Sequence, residues 1–193
     1  MKAFPFWLLL GCAGLASQPA SAWAQPAQAI DSLVQEAMKS WRVPGAAVVI
    51  VHEDRVLFLK GFGVRALDQS GAVTPDTVFP LASCTKSFTT LLMGILVDEG
   101  KLDWDDPVRK HLPFFRLTDP LADAQVSLRD LLTHRTGVGS HDLLWYKSPF
   151  GLEERIRRSC RLGAKHPFRS TFEYQTVFFS AAGVAASQAA GAE

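Results

Sequence analysis

Cysteine is scarce in this 193-residue sequence, at three, and so is tyrosine, at two. Cys12 falls in the leader described below, so Cys84 and Cys160 alone remain, and two cysteines cannot define a disulfide framework. The five histidines at 52, 111, 134, 141 and 166 show no His-x-x-x-His spacing, and no Cys-x-x-Cys occurs, which leaves a metal site without support. Charge of one sign is also lacking. Lys and Arg number 20 against 19 Asp and Glu, for a formal net charge of +1, so no long-range field gathers nucleic acid or anionic lipid. The densest basic stretch, Arg155-Ile-Arg-Arg-Ser-Cys-Arg161, reads as a solvated helix face, the other reading being an anionic-ligand patch. No repeat and no low-complexity tract follows the leader. What remains is an ordinary globular composition, 48% hydrophobic, 20% charged and 10% aromatic, with one domain as the default.

The first residues carry one positive charge at Lys2, an apolar run over 4–16, and small-residue sites at Ala20-Ser-Ala22 and Ala22-Trp-Ala24. That is the pattern of a secretory signal peptide over residues 1–24, with the mature domain at 25–193 and a periplasmic or secreted location. The run is too short to span a bilayer. Leu9-Leu-Gly-Cys12 also resembles a lipid-attachment box, so an anchor at Cys12 is the alternative.

Residues 30–41 place apolar side chains at 30, 33, 34, 37, 38 and 41, a helical spacing that stops before Pro44-Gly45. Residues 46–51 (AAVVIV) form a short, nearly continuous apolar run, the pattern of a strand buried on both faces. Residues 55–64 follow a polar break and complete a hairpin, and residues 67–79 are expected as loop. From Ser83 a helix is expected with Phe88, Leu91, Leu92, Ile95 and Leu96 on its buried face and Gly100 as its stop. Residues 103–123 should be ordered loop with one short helix near 107–111. A capping-box-like start at Ser127 opens another helix, and residues 151–162 and 177–190 are further candidates. Two strands make a marginal sheet with open edges. The expectation is therefore a fragment of a longer chain, with most of its sheet strands missing.

Ser83 and Lys86 stand three apart where the turn-rich stretch gives way to that helix. Three-residue spacing puts both on one helical face, close enough for proton transfer, and a helix N-terminus stabilises an alkoxide. The bland alternative is a serine that merely begins a helix. Cys84, beside Ser83, is expected as a small buried side chain rather than a thiol nucleophile. Trp41, Trp104 and Trp145 read as core or rim aromatics. Asp103, Asp105 and Asp106 read as capping groups, since Trp104 and Pro107 break any calcium-loop alternation.

The segments TVFPLASCTKSFTTLLMGILVDEGKLDWDDPVRKHLP and VSLRDLLTHRTGV resemble the serine β-lactamase-related family, which includes class C β-lactamases, D-alanyl-D-alanine carboxypeptidases and related esterases. The resemblance runs from about Ile30 to the last residue. It implies an α/β fold of β-lactamase/transpeptidase type: an antiparallel sheet with a helical subdomain, here its N-terminal part. It also implies an acyl-enzyme hydrolase without cofactor, acting on a small-molecule or peptide substrate (β-lactam, D-Ala peptide or ester), with Ser83 as nucleophile and Lys86 as its base partner. In FEYQTVFF, Tyr174 matches the tyrosine of the family's Tyr-x-Asn motif, and Thr176 stands where the asparagine would bind substrate. A Thr hydroxyl is shorter and offers one donor instead of two, which favours esterase-like or peptidase-like over cephalosporinase-like activity. Tyr174 also admits a plain reading as a core aromatic, and His134 as a hydrogen-bonded structural residue near the site's rim. The family's Lys-Thr-Gly or His-x-Gly does not occur in the sequence, so the chain by itself is expected to be inactive, and the rival reading is a non-catalytic binding module.

Overall fold

The computed structural model describes residues 24–192, so the expected leader, apart from Ala24, lies outside the described residues, Cys12 included. The chain divides into two compact units, residues 1–80 and 81–193.

The first unit holds helix α1 (Ala24–Trp41) and strands β1 (Gly45–His52), β2 (Arg55–Ala66) and β3 (Gln69–Ala72) in the order β1-β2-β3. The expected hairpin is present: β1 pairs antiparallel with β2 from Gly45 opposite Gly63 to His52 opposite Arg55. Glu53 and Asp54, both with positive φ, form its two-residue turn, whose twist matches that of the flanking strands. An Asp31–Lys60 ion pair ties α1 to β2.

Four expectations in this unit fail. Helix α1 begins at Ala24, six residues before the apolar spacing starts, because Ala and Gln extend a helix without contributing to its apolar face. β3 lies within residues expected as loop; it is four residues long and pairs Val64 with Ala72 and Ala66 with Gln69. Its Gly and lack of β-branched residues hid it. β1 is not buried on both faces, since burial alternates along it and Val49 and Val51 stay 56% and 59% exposed. One face of β1 is partly covered and the other stays open. Trp41 is likewise 83% exposed rather than a core or rim aromatic.

The second unit is helical. A 3-10 turn (Ala82–Cys84) runs directly into α2 (Thr85–Asp98), followed by α3 (Val108–His111), α4 (Pro120–Gln125), α5 (Leu128–Leu132), α6 (Leu152–Cys160) and α7 (Thr176–Ala190). Helix α7 is the hub, packing against α2, α3, α5 and α6. Its sequence explains why: Ala181, Ala182, Ala185 and Ala186 are fully buried, and their small side chains let neighbouring backbones come close. Phe178 fills the remaining space and meets Phe115 at 5.3 Å between ring centroids. Such a buried aromatic contributes on the order of 3–5 kcal/mol, judged by truncation to Ala.

The local signals mostly held here. Gly100, with φ +68°, ends α2 as expected. The Ser127 start is a full capping box, in which Ser127 Oγ accepts from the Asp130 N–H and Asp130 Oδ2 accepts from the Ser127 N–H. Residues 103–123 hold the expected short helix but also α4, which was not expected. Its signal was Asp119 before Pro120: the Asp119 carboxylate accepts from the Ala122 N–H at 2.7 Å, and Pro sits at the first helical position. The aspartates of this loop are engaged by Arg129 (with Asp105) and by Lys110 and His111 (with Asp106). Two arginines of the basic run on α6 are answered by their own helix, Arg157 by Glu153 and Arg158 by Glu154, four residues apart, while Arg155 Nε is buried without a hydrogen-bond partner among the described residues.

The apolar face of α2 departs from expectation. Met93 and Leu96 are buried, but Phe88 and Leu91 are 60% and 62% exposed, and Leu92 and Ile95 are exposed as well. The apolar spacing marks a real face, of which only the Met93–Leu96 side meets the helical core.

Candidate active site

Ser83 sits in the 3-10 turn rather than on the first turn of the helix proper, one residue before the Cys84 N-cap of α2. The turn continues smoothly into the helix, so Lys86 still lies one turn on, with its Nζ 3.3 Å from Ser83 Oγ. Ala82, immediately before the serine, has φ +46°. A left-handed alanine costs on the order of 1 kcal/mol and re-aims the chain just before Ser83. Cys84 is exposed, contrary to expectation, because a turn at a helix entrance points successive side chains outward. Cys160 is buried, and both thiols are free; burial pushes the Cys160 thiol up to about 12.

Tyr174 reaches the same point from the segment before α7. Its hydroxyl donates to Ser83 Oγ at 2.7 Å, across 91 residues of sequence. Lys86 Nζ lies 4.9 Å from the Tyr174 ring centroid and 5.5 Å from that of Phe179, so the ammonium rests against two aromatic faces. The Lys86 ammonium, aided by the hydrogen bond to Ser83, holds the Tyr174 hydroxyl below its ordinary pKa, against a smaller opposing push from burial. The structure thus brings Ser83, Lys86 and Tyr174 to one place. The reading of Tyr174 as a plain core aromatic does not fit a half-exposed ring whose hydroxyl meets the serine.

Thr176, the first residue of α7, lines a groove of about 290 Å³ with Ala82, Lys86, Thr89, Ser180 and Gly183. The groove is lined by Lys86 and by Ala82, the residue before Ser83, but not by Ser83 or Tyr174 themselves. Its main-chain oxygen accepts from Ser180 Oγ. A larger hollow of about 630 Å³ runs along α2 past Leu91, Ile95 and Trp104. That hollow contains no serine–lysine pair, so size does not mark the site.

His134 is hydrogen-bonded as expected, but nothing in the sequence signalled which residues hold Tyr174 in place. Residues 134–138 and 164–175 are zipped together. The Lys165 and His166 N–H groups donate to the Gly137 carbonyl, the Arg169 N–H to that of Arg135, and the Glu173 N–H to that of His134. Gly137 has φ +86°, and a Cβ there would stand 2.5 Å from the His166 carbonyl oxygen, so only glycine fits. Gln175, 2% exposed, accepts from Thr136 Oγ1 at 2.8 Å and donates from its amide to the Val138 carbonyl. Arg169 closes the far end with a bidentate fork on Asp130, both contacts at 2.8 Å. Asp130 is pushed up by burial, but the Arg169 fork and the Ser127 donors outweigh that and hold its carboxyl below the usual carboxylate range. Glu173 is held low as well, first by Lys165, with the Ser140 N–H and His166 also contributing.

At this one place the Ser83 hydroxyl is in contact with both the Lys86 amine and the Tyr174 phenol. The Beta-lactamase family model matches residues 30–193, and the chain belongs to that family. It is 32% identical over 113 residues to Protein flp of Staphylococcus aureus, covering 58% of this chain and 23% of that protein. It is 32% identical over 155 residues to Unguisins hydrolase ungD of Aspergillus violaceofuscus, covering 76% of this chain and 27% of the hydrolase. Among solved structures, the octameric penicillin-binding protein homologue from Pyrococcus abyssi superposes with a TM-score of 0.74 at 27% identity, over 86% of this chain and 40% of that one. The chain therefore spans about a quarter of these curated relatives and under half of the solved structure. The β-lactamase/transpeptidase-like fold expected from the sequence is borne out, as its N-terminal part.

Proposed function

We propose that this chain carries the nucleophile half of an exported serine hydrolase that cleaves an amide or ester through an acyl-enzyme on Ser83. The observation that carries the proposal is the convergence of Lys86 Nζ and the Tyr174 hydroxyl on Ser83 Oγ, at 3.3 and 2.7 Å. At rest both groups donate to Oγ. When Tyr174 sheds its proton, which the Lys86 ammonium favours, the 2.7 Å contact reverses and Oγ–H donates to the phenolate. The serine oxygen then attacks the substrate carbonyl, forming the Oγ–C bond as its proton passes to Tyr174. As the bond to the leaving amine or alcohol breaks, Tyr174 returns that proton to the leaving group. Water hydrolyses the ester by the same path in reverse; Lys86, expected from the resemblance as the base partner, acts in this path through Tyr174, whose phenolate it favours. No cofactor enters.

Membership in the family and the hydrolase among its relatives support the reaction class. The leader pattern at residues 1–24 supports export, and no described helix is long and apolar enough to cross a membrane. Thr176 supports an ester or peptide substrate over a cephalosporin, because its single hydroxyl replaces a two-donor amide at the groove. The sequence holds no Lys-Thr-Gly or His-x-Gly to add a second oxyanion donor; one such donor is worth about 3 kcal/mol. Turnover by these 193 residues alone is accordingly expected to be slow, while a single acylation event remains observable.

The test is a fluorophosphonate or fluorescent penicillin incubated with the chain, followed by mass mapping of the adduct. A single adduct on Ser83, lost in Ser83→Ala, supports the enzyme. No adduct on Ser83 in the folded chain, or in a longer chain that contains it, would put the non-catalytic binding module ahead.

A further inference from the structure

His134 is a titratable side chain packed against the Tyr174 ring that the proposed reaction leaves without a task. It is buried at 6% exposure and has φ +59°, a left-handed conformation that Asn, Asp and His adopt more readily than other side chains. The chain holds it there for a visible reason. Its carbonyl oxygen accepts from the Glu173 N–H at 2.9 Å, and its ring Nδ1 accepts from the Gln175 N–H at 3.1 Å. Those two donors flank Tyr174 in sequence. Backbone and side chain of a single residue thereby clamp the peptide groups on both sides of the tyrosine. The imidazole itself lies 4.6 Å from the Tyr174 ring centroid and 5.5 Å from that of Phe179, with Phe172 edge-on at 5.3 Å.

We propose that His134 is the positioning residue of Tyr174, and that it holds the phenol on Ser83 only as the neutral imidazole with its proton on Nε2. Nδ1 must be bare to accept from Gln175; a second proton turns it into a donor facing a donor and opens one side of the clamp. The titratable groups facing the ring are Lys86 from α2 and Tyr174 from the segment before α7. Burial, and then the Lys86 charge, lower the histidine's affinity for a proton, which keeps the clamp closed at neutral pH. The catalytic consequence rests on the acyl-transfer reading of the site; the positioning itself does not.

The composition makes a direct test available. The sequence has only two tyrosines, so in a Tyr146→Phe background Tyr174 alone titrates in the tyrosinate absorbance near 295 nm. His134→Leu removes the acceptor. Its expected result is a Tyr174 titration moved back up toward the ordinary tyrosine value, because the phenol is no longer fixed beside Lys86. The rate of Ser83 acylation is expected to fall about a hundredfold, the scale for a displacement of roughly 1 Å. His134→Asn tolerates the left-handed backbone and places Oδ1 near the position of Nδ1, so it should restore most of the Tyr174 shift. An unchanged Tyr174 titration in a folded His134→Leu overturns the proposal, whatever the state of Ser83. If His134→Leu does not fold, the decision falls to the Tyr146→Phe chain. Its Tyr174 ring resonances must move together with the His134 C2–H as pH falls, and resonances that stay still overturn the proposal. A normal Tyr174 response without any Ser83 adduct would sink the hydrolase reading and leave the positioning role standing.

Discussion

Replacing Arg169 with Met tests the claim that a remote ion pair anchors the segment bearing Tyr174. Met keeps the aliphatic stem and removes the fork. Asp130 then loses two of the four donors within hydrogen-bonding distance of its oxygens, keeping only the Ser127 N–H and hydroxyl at 3.0 Å. Its side chain is 7% exposed, whereas that of Arg169 is 45% exposed. Breaking a fully buried pair costs 3–5 kcal/mol; with one partner half in solvent and the Ser127 donors retained, about 2–3 kcal/mol is expected. That corresponds to a roughly 30- to 150-fold faster exchange of the slowest amides in α5 and α7. The effect depends on pH in a defined direction. Asp130 has a lowered carboxyl pKa, so its stabilisation is fully present above the unfolded value near 3.8 and disappears as pH falls through the folded value. The Arg169→Met penalty must fade over the same window. In an Asp130→Asn background the substitution should cost under about 1 kcal/mol. A penalty below about 0.5 kcal/mol at neutral pH, or one undiminished in the Asn background, would refute the argument.

Other outcomes follow from the same geometry. Phe178→Ala should destabilise the helical unit by about 3–5 kcal/mol, read as a lowered urea midpoint, because the ring fills the space beside Phe115 among alanines that cannot collapse into it. Gly137→Ala should cost at least 1–2 kcal/mol in the same assay, through both its positive φ and the His166 carbonyl in its way. Thr176→Asn should speed labelling by a penicillin bearing an acylamide side chain by about tenfold, the worth of one added hydrogen bond, with a simple aryl ester unaffected. Stability should decline as pH falls from about 6.5 through the folded value of His134. An unfolded histidine takes up a proton there that the buried one, beside Lys86, resists, and His134→Asn should flatten that decline.

Local chemistry was legible where a few adjacent residues decide the outcome. Ser127 with Asp130, the stop at Gly100 and the hairpin across Glu53-Asp54 all depend on sequence neighbours, and they stand as expected. The Ser83–Lys86 pair was legible for the same reason, since spacing along one turn fixes it. Tyr174 could be matched through the family resemblance, but its 2.7 Å contact with Ser83 spans 91 residues and follows from packing alone. His134, Gln175 and Arg169 were illegible as supports of Tyr174 because these partners lie 37 to 41 residues away in sequence and include backbone groups, which carry no residue identity. The exposure of Phe88, Leu91, Val49 and Val51 escaped for another reason: an apolar pattern states what prefers cover, and only the fold states which residues receive it.

The central claim is that Lys86 and Tyr174 together activate the Ser83 hydroxyl. Its most direct measurement is the second-order rate of fluorophosphonate adduct formation on Ser83 as a function of pH, in the unaltered chain and in Lys86→Ala and Tyr174→Phe. The account predicts a rate that climbs with pH through a Tyr174 value below the ordinary tyrosine range. It also predicts a loss of about 10²- to 10⁴-fold in either variant. Equal rates in all three proteins, or an adduct that forms on another residue while Ser83 stays unmodified, would contradict it.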